Sequence, residues 1–437
     1  MKVLFLNYSD NFGGASIAAR RLFTQLYKYN IDITFGTIEK NINDSINLLS
    51  INKKWDNIFK RYFLFRIIKK IYLYITTVKI NIFKTSNPVF HSENKNTLID
   101  IDSINKSDYN IIHFHWINAD MISIEDIAKI KKPVVWTMHD CWPFCGAEHY
   151  PNILENDNRF FEGYTKANKP YTTLGPDICR KTWERKKKSW KDFTFNFISP
   201  SNYEKKSFDN SALFKNNHST CRVIPNIVPC NIFKPIDKIF LKNIYQIPLE
   251  KIIIGFGAAY DITYEKSIKG GYLLIEALNK IKNKSNYHFV VFGNADIKFL
   301  EKIEIPIFFS GFITNPLILV GIYNLCDVIV CPSLQENLPN ICLESLFCGI
   351  PVAAFNTGGI PDIVEHRKTG YLANCFDTED LFNGIMYCID NYYELSQNSI
   401  TKAQTDFNNE TVIKKHIELY ESVLRNNQEY QLEETRL

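Results

Sequence analysis

The stretch that decides the fold runs from Asp327 to Ala373 and reads DVIVCPSLQENLPNICLESLFCGIPVAAFNTGGIPDIVEHRKTGYLA. Two short β-rich runs, Asp327 to Cys331 and Val352 to Phe355, flank a turn-rich loop and a helix predicted over Asn340 to Cys348. Pro339 stands near the first position of this helix, which is typical of a helix start. In a parallel sheet, the loops that follow both strands lie at carboxyl ends, where open α/β folds bind ligands. The stretch therefore predicts a ligand pocket.

The same stretch carries several motifs in a definite order, which are Glu336 and Glu344 eight positions apart, Gly349-Ile350-Pro351, Gly358-Gly359-Ile360-Pro361 and Thr369 to Leu372. In this order they resemble glycosyltransferase family 4, whose members are retaining enzymes of the GT-B architecture. The resemblance spans nearly the whole chain and is weakest in residues 44–105 and 151–191. Within the family, the chain is most similar to bacterial transferases of the exopolysaccharide, colanic-acid or O-antigen type.

The fold class expected from the chain is α/β. Its 437 residues exceed one typical core, and β-rich runs alternate with helical stretches throughout. The resemblance implies two Rossmann-like domains that face each other across a cleft. We expect an N-terminal acceptor-side domain over 1–234 with a basic insertion at about 44–95, a donor nucleotide-sugar domain over 235–409, and a helix over 410–437 that crosses back to the N-terminal domain.

Composition narrows the class of protein. The chain is 45% apolar and 22% charged, which is typical of soluble globular proteins, and no apolar run is long enough to span a membrane. The N-terminus enters the first strand without a cleavage signal. Eleven scattered cysteines fit a reducing compartment better than a disulfide framework. We therefore expect a cytoplasmic protein.

Positive charge is concentrated between residues 51 and 84. This window contains nine Lys or Arg residues and one acidic residue, Asp56. Its net charge is therefore +8, while that of the whole chain is +4. Trp55, Phe59 and Phe63 are among the aromatic residues interleaved with these charges. Such a segment can lie peripherally on the anionic inner face of a membrane, although an ordinary surface helix pair fits equally well. No nucleic-acid motif accompanies the charge.

Glycine turns before helices offer backbone N–H groups to phosphate, which makes Gly13, Gly14, Gly358 and Gly359 candidate donor-binding residues. The resemblance assigns Lys269, in a Lys-Gly step, to neutralisation of the departing diphosphate. The family usually also places an arginine just after the glycine that ends the preceding strand. Here Gly257 is followed by two alanines, and Lys266 is a candidate to compensate.

The resemblance also assigns roles around the two glutamates. Glu344 is the ribose ligand, and Glu336 lies near the donor sugar, where a carboxylate stabilises an oxocarbenium-like transition state. The segment Asn337, Leu338, Pro339 and Asn340 contributes backbone amides that hold the sugar hydroxyls. The catalytic set is completed by His139, in the His-Asp pair at a strand end, with Lys269.

Two further sets of residues leave their roles open. Strand alternation places His113 and His115 on one face of a strand, and His115 is more simply a satisfied core histidine. Cys141, Cys145, His149 and Cys179 raise the question of zinc, but their spacing matches no standard zinc pair. No Asp-x-Asp motif stands at a strand end. We therefore expect no metal site, no cofactor and metal-independent catalysis.

These observations predict an enzyme, a hexosyltransferase. It would move a hexose with retention from a nucleotide diphosphate sugar to a hydroxyl of a growing, lipid-linked, bacterial cell-surface glycan. Two alternatives remain open at this point. One is a sugar-nucleotide 2-epimerase of the same fold, and the other is a non-catalytic subunit of a glycan assembly complex.

Overall fold

A computed structural model describes residues 1–11, 13–40, 48–50, 78–83, 86–87, 89–152, 155–258, 267–295 and 297–434. Most of the basic segment 51–84, including its aromatic residues up to Phe63, lies outside these ranges, as does Lys266. Among the described helices, none combines the length and the apolar character needed to cross a membrane.

Thirteen strands are present in the described ranges, and all their pairings are parallel. They are β1 Lys2–Ser9, β2 Asp32–Glu39, β3 Leu48–Ser50, β4 Ile111–Phe114, β5 Val134–Thr137, β6 Phe195–Ser199, β7 Thr220–Val223, β8 Ile252–Ala258, β9 Tyr287–Gly293, β10 Ile307–Gly311, β11 Val328–Cys331, β12 Val352–Phe355 and β13 Gly370–Ala373. They form a seven-stranded sheet in the order β3-β2-β1-β4-β5-β6-β7 and a six-stranded sheet in the order β10-β9-β8-β11-β12-β13.

Helices connect the parallel strands, as a parallel sheet requires. The longer ones are Gly14–Lys28, Ile178–Ser189, Asn202–Asp209, Gly271–Asn279, Pro316–Leu325, Asn340–Cys348, Thr378–Asp390, Tyr392–Asp406 and Asn409–Glu434. The shorter ones are Ile101–Lys106, Ile124–Ile127, Arg159–Glu162, Lys238–Ile244, Ile297–Leu300 and Ile360–Ile363, with a further helical stretch at residues 78–83. The predicted helix Asn340–Cys348 is confirmed, and Gly349 ends it in the left-handed conformation that favours glycine.

The chain divides into two compact units. The first contains Met1–Ile224 with Ile413–Leu437, and the second contains Pro225–Val412. Residues 225–234, assigned from sequence to the N-terminal domain, lie with the second unit because Val228 and Phe233 are buried in its apolar core. The last helix, expected over 410–437, runs from Asn409 to Glu434.

Each sheet has one position where the strand order reverses. In the first sheet it lies between β1 and β4, and in the second between β8 and β11. Ligands of open α/β sheets bind outside the carboxyl ends of the strands at such a switch point. The loops after β1, β4, β8 and β11 are therefore the places to look for a site, and the α/β fold class predicted from sequence is confirmed.

Candidate functional site

Three loops of the second unit meet at the carboxyl edge of its sheet. They follow β8, β11 and β12, which are neighbours in the strand order. The Leu334 N–H donates to the carbonyl of Ile268 at 2.7 Å, and the Gly359 N–H donates to the carbonyl of Glu336 at 3.1 Å. The Thr357 hydroxyl donates to the carbonyl of Leu334 at 2.9 Å. These bonds hold the three loops together without side-chain charges.

Two glycines allow the loops to approach this closely. Gly270 and Gly358 have φ values of 65° and 57°, which is left-handed backbone. A Cβ on Gly270 would lie 1.9 Å from the carbonyl oxygen of Pro332, and one on Gly358 would lie 1.9 Å from that of Glu336. Both positions therefore require glycine because of these close backbone contacts, independently of any role in phosphate binding.

Lys269 and Glu336, which stand 67 residues apart, form an ion pair in this site. The Lys269 Nζ lies 2.5 Å from the Glu336 Oε1. Ser333 donates its hydroxyl to the same oxygen at 2.9 Å. Burial alone would lower the pKa of Lys269, but the charge and hydrogen bond of Glu336 outweigh it and raise that pKa. Both groups keep some contact with solvent, with side chains 26% and 12% exposed.

Glu344 lies on the helix that follows this loop. Its side chain is buried at 4% exposure, and its Oε2 accepts a hydrogen bond of 2.7 Å from the Tyr323 hydroxyl. Tyr323 comes from the helix Pro316–Leu325 and is 1% exposed. Sequence analysis missed Tyr323 because its helix is apolar and carries no motif. We call Lys269, Tyr323, Ser333, Glu336 and Glu344 the 269–344 site.

The remaining donor-binding candidates of this unit differ in exposure. Asn337 and Leu338 are buried at 4% and 6%, and Leu338 is part of the apolar core. Pro339 is the N-cap residue of the helix Asn340–Cys348. Leu338 can therefore offer a ligand only its backbone. Pro339 has no N–H, and its carbonyl accepts from the Cys342 N–H at 3.1 Å, so the expected amide contact cannot come from Pro339.

In the first unit, Gly13 and Gly14 open the helix Gly14–Lys28 directly after β1. Gly13 has φ 86°, and no side chain caps this helix start. Asn7, which sequence analysis missed, fastens the loops on either side of the switch point. Its side-chain nitrogen donates to Ser16 Oγ at 2.9 Å, while its oxygen accepts from the Trp116 N–H at 2.8 Å.

The three histidines cluster at the ends of β4 and β5. His113 and His115 share a face as expected, and their ring centroids are 4.4 Å apart. His113 is completely buried and bonds Tyr420 at 2.7 Å and Thr137 at 2.8 Å. Its role is therefore structural, and it fastens the last helix to the sheet.

His139 stacks on His115, with His115 Nδ1 and His139 Nε2 3.0 Å apart. Desolvation lowers the pKa of His139 to about 4 and that of His115 well below its ordinary value. At neutral pH both rings are therefore neutral. One donates and the other accepts in the bond between them, so the tautomers of the pair are linked.

The structure separates the four residues that raised the question of zinc. His149 bonds Asp140 at 2.7 Å and Ser92 at 2.9 Å. Cys141 and Cys145 are one helical turn apart and interact with each other. Cys179 has its backbone against Gly146 and groups with His91 and Glu148, and one possible ligand atom from each of these three residues lies within 4.8 Å of the other two.

Comparison with known proteins gives a match over part of the chain. Residues 253–391 match the family model of Glycosyl transferases group 1. A D-inositol 3-phosphate glycosyltransferase of Corynebacterium jeikeium is 40% identical over 62 residues, which are 14% of this chain and 15% of the relative. An uncharacterized 41.2 kDa protein in the cps region of Klebsiella pneumoniae is 25% identical over 228 residues, 52% of this chain and 61% of the relative. The chain thus spans less than two thirds of either relative.

Among solved structures, Alr3699/HepE of Anabaena in complex with UDP and glucose superposes with a TM-score of 0.64 at 17% identity. The superposition covers 97% of this chain and 100% of that one. At this identity the likeness concerns the fold. Residues 253–391 therefore have the sequence pattern of a glycosyl transferases group 1 domain, in a chain whose two parallel α/β units have the GT-B fold.

Proposed function

We propose that this chain is a retaining hexosyltransferase that uses a nucleotide diphosphate sugar and a hydroxyl of a growing, lipid-linked cell-surface glycan. The observation that carries the proposal is the Lys269–Glu336 ion pair at the switch point of the second sheet. It lies within the residues that match the group 1 model. The relative from a cps region supports a cell-surface glycan as the product.

Lys269 supplies the positive charge for the donor diphosphate. Among the described residues its ammonium pairs with one carboxylate, that of Glu336, and its side chain is 26% exposed, so a diphosphate can join or replace Glu336 as its partner. The nearby glycine turn adds the backbone N–H of Gly358, because that of Gly359 donates to the Glu336 carbonyl. A role in phosphate binding for Gly13 and Gly14 stays a prediction. Because Lys269 takes the role that a metal ion plays in other transferases, donor binding needs no Mg²⁺.

Glu344 binds the ribose of the donor. We expect its carboxylate to accept hydrogen bonds from the two ribose hydroxyls, and the Tyr323 hydroxyl donates to its Oε2. A carboxylate that is already oriented loses little side-chain entropy when the ribose arrives. The Tyr323 hydroxyl is thus a positioning group for Glu344.

Glu336 acts at the sugar. Ser333 and Lys269 fix its Oε1, so the carboxylate is oriented before the anomeric carbon becomes positive, and fixed charges of this kind stabilise a transition state most. The leaving diphosphate departs and the acceptor hydroxyl attacks on the same face, which retains configuration. His139, neutral at working pH, completes the catalytic set.

We also assign the enzyme to the inner face of the membrane. Tyr171 and Leu174 are 93% and 70% exposed, and Ile82 is 52% exposed. They belong to one surface, because the Phe83 ring packs against Gly175. Ile82 and Phe83 belong in sequence to the basic segment 51–84, and basic charge combined with exposed apolar groups favours anionic lipid.

The donor is tested by thermal unfolding with UDP-, GDP-, ADP- and dTDP-sugars in Mg²⁺-free buffer, followed by NMR of the anomeric product. A donor at about one hundred times its Kd adds about 2.7 kcal/mol to stability. We expect one base to raise the Tm and Glu344→Ala to abolish the rise. A C2 epimer formed without acceptor would instead identify an epimerase. No shift with any donor, together with unchanged glycan assembly by Glu344→Ala in cells, would identify a non-catalytic subunit.

The membrane assignment is tested by co-sedimentation with vesicles that contain phosphatidylglycerol. Tyr171→Ser with Leu174→Ser should weaken binding, whereas Tyr393→Ser, an equally exposed tyrosine of the second unit at 86%, should not. Equal binding of both variants would contradict the assignment.

A further inference from the structure

A cluster of buried ligand-type side chains lies in the first unit, outside the sites discussed so far. It consists of His91, Glu148 and Cys179, exposed by 4%, 1% and 1%. A nitrogen, a carboxylate oxygen and a sulfur from these residues all lie within 4.8 Å of one another. Within the described part of the chain, this is the one such group of three or more His, Cys, Asp or Glu.

The histidine has the arrangement of a metal ligand. Its Nδ1 lies 2.9 Å from the carbonyl oxygen of Val89. A carbonyl can only accept, so Nδ1 carries a proton, and the ring nitrogen that would bind a metal is Nε2. Metal-bound histidines are commonly oriented by this bond from the other ring nitrogen to a carbonyl.

The glutamate is also held in one orientation. Its Oε1 accepts a hydrogen bond from the Tyr164 hydroxyl. Its Oε2 accepts no hydrogen bond from an N–H or O–H group of the described residues although Glu148 is 1% exposed, and the Cys179 thiol interacts with the same carboxylate. This oxygen is directed towards the segment of Cys179, since a Cβ on Gly146 would lie 2.7 Å from Oε2 and 2.6 Å from the Cys179 carbonyl oxygen. An unsatisfied buried carboxylate oxygen is costly.

The charges around the cluster leave room for a cation. Arg159 is the nearest positive group, but its closest partner is Asp157, with three contacts of 2.8 to 3.1 Å. Asp177 lies 3.5 Å from the guanidinium, whereas Glu148 is 3.8 Å away. Burial lowers the pKa of Lys186 to about 7, and three backbone carbonyls, those of Trp142, Cys145 and Gly146, hold its amine. Three carboxylates, those of Glu148, Asp157 and Asp177, therefore lie around the single guanidinium of Arg159.

From this geometry we infer a zinc site in which His91 Nε2, Glu148 Oε2 and Cys179 Sγ bind one Zn²⁺, with water as the fourth ligand. Imidazole, thiolate and carboxylate together suit Zn²⁺ better than Mg²⁺ or Ca²⁺. Tetrahedral bonds of about 2.0 to 2.3 Å would draw the three atoms together by about 1 Å.

The three ligands come from separate segments of the first unit, so the ion would cross-link these segments and stabilise the fold. His91 and Glu148 form an isolated antiparallel bridge. Cys179 lies in the first turn of the helix Ile178–Ser189, which Asp177 caps through the Arg180 N–H at 2.9 Å. The ion would fasten this helix to the segments at residues 91 and 148. It would lie in the first unit and take no part in binding the donor.

The first test is the metal content of the full chain, purified without a histidine tag and measured by plasma mass spectrometry. We expect one zinc per chain in the wild type and in Cys388→Ser, which changes a buried cysteine of the second unit. Cys179→Ser and His91→Gln should lose the zinc. If Cys145→Ser lost the zinc while Cys179→Ser kept it, the ligand assignment would be overturned.

A second test uses Co²⁺ added to chelator-treated wild-type protein, so it does not depend on any variant folding. Tetrahedral Co²⁺ should give visible absorption bands together with a near-ultraviolet band from the thiolate. The metal should also raise the Tm, because it binds only the folded state. Wild-type protein that contains no zinc and shows neither absorption nor a Tm shift would refute the site.

Discussion

The two ion clusters of this chain differ in how much solvent reaches them. In the 269–344 site, the paired side chains of Lys269 and Glu336 are 26% and 12% exposed. The 91–179 cluster, defined by His91, Glu148, Asp157, Arg159, Asp177 and Cys179, has charged side chains exposed by 2% to 9%. A partly exposed charge can exchange its protein partner for a ligand, whereas a buried charge needs a permanent partner. The first arrangement suits substrate binding and the second suits structure.

The 91–179 cluster should therefore show the largest effect on stability. Arg159→Met removes the charge that Asp157, Asp177 and Glu148 surround, and leaves buried carboxylates without their partner. We expect a loss of about 3 to 5 kcal/mol in the free energy of unfolding. All six tryptophans of the chain lie in residues 1–224, so tryptophan fluorescence during urea unfolding follows the first unit. Arg180→Met, which breaks a more exposed pair with Glu184, should cost less than about 1 kcal/mol.

The 269–344 site should lose activity more than stability. Lys269→Ala removes the charge that we propose neutralises the diphosphate, and we expect transfer to slow by about 10² to 10³-fold, as for other fixed transition-state charges. Initial rates with the donor found in the thermal screen measure this. Lys280→Ala, which breaks an exposed pair with Glu379, is the matched control. A smaller rate loss for Lys269→Ala than for Lys280→Ala would place the leaving-group charge elsewhere.

Acid should destabilise the first unit through its histidines. Burial lowers the pKa values of His113, His115 and His139, the last to about 4, while unfolded histidines titrate near 6.5. Between pH 6.5 and 4 the unfolded chain therefore binds more protons, and stability falls as the pH falls. The slope should reach about 1.4 kcal/mol per pH unit for each histidine. Urea midpoints at pH 7, 6 and 5 measure it, and His139→Asn should flatten the slope; an unchanged slope in that variant would argue against the lowered pKa.

We expect the smallest effect, a change in donor affinity, from a substitution beside Glu344, the proposed ribose ligand. Tyr323→Phe removes the hydrogen bond that orients Glu344, and we expect donor affinity to fall by about tenfold, or about 1.4 kcal/mol. Tyr371→Phe provides the comparison, because it also removes a tyrosine–carboxylate bond, to Asp380 at 2.8 Å. Calorimetric titration with the donor should separate the two variants. Equal donor affinities of the two variants would mean that the Tyr323 hydrogen bond does not orient Glu344 for donor binding.

Sequence determined the second unit well because its signals are local. Proline and glycine flank the helix Asn340–Cys348, the strand Val352–Phe355 is a continuous apolar run, and the glycine turns follow strands directly. Periodicity and turn chemistry act over a few residues, so they can be predicted without the tertiary structure. The parallel α/β class follows from the same signals.

Only the tertiary structure decided which distant residues meet. It paired Lys269 with Glu336, placed Tyr323 behind Glu344, and assembled His91, Glu148 and Cys179 from positions up to 88 residues apart. It also showed that position 358 must be glycine, because a Cβ there would clash with the carbonyl oxygen of Glu336. Such contacts depend on the order of strands in a sheet and on how loops pack at its edge. Those features arise from burial over the whole unit, so no local pattern in the sequence records them.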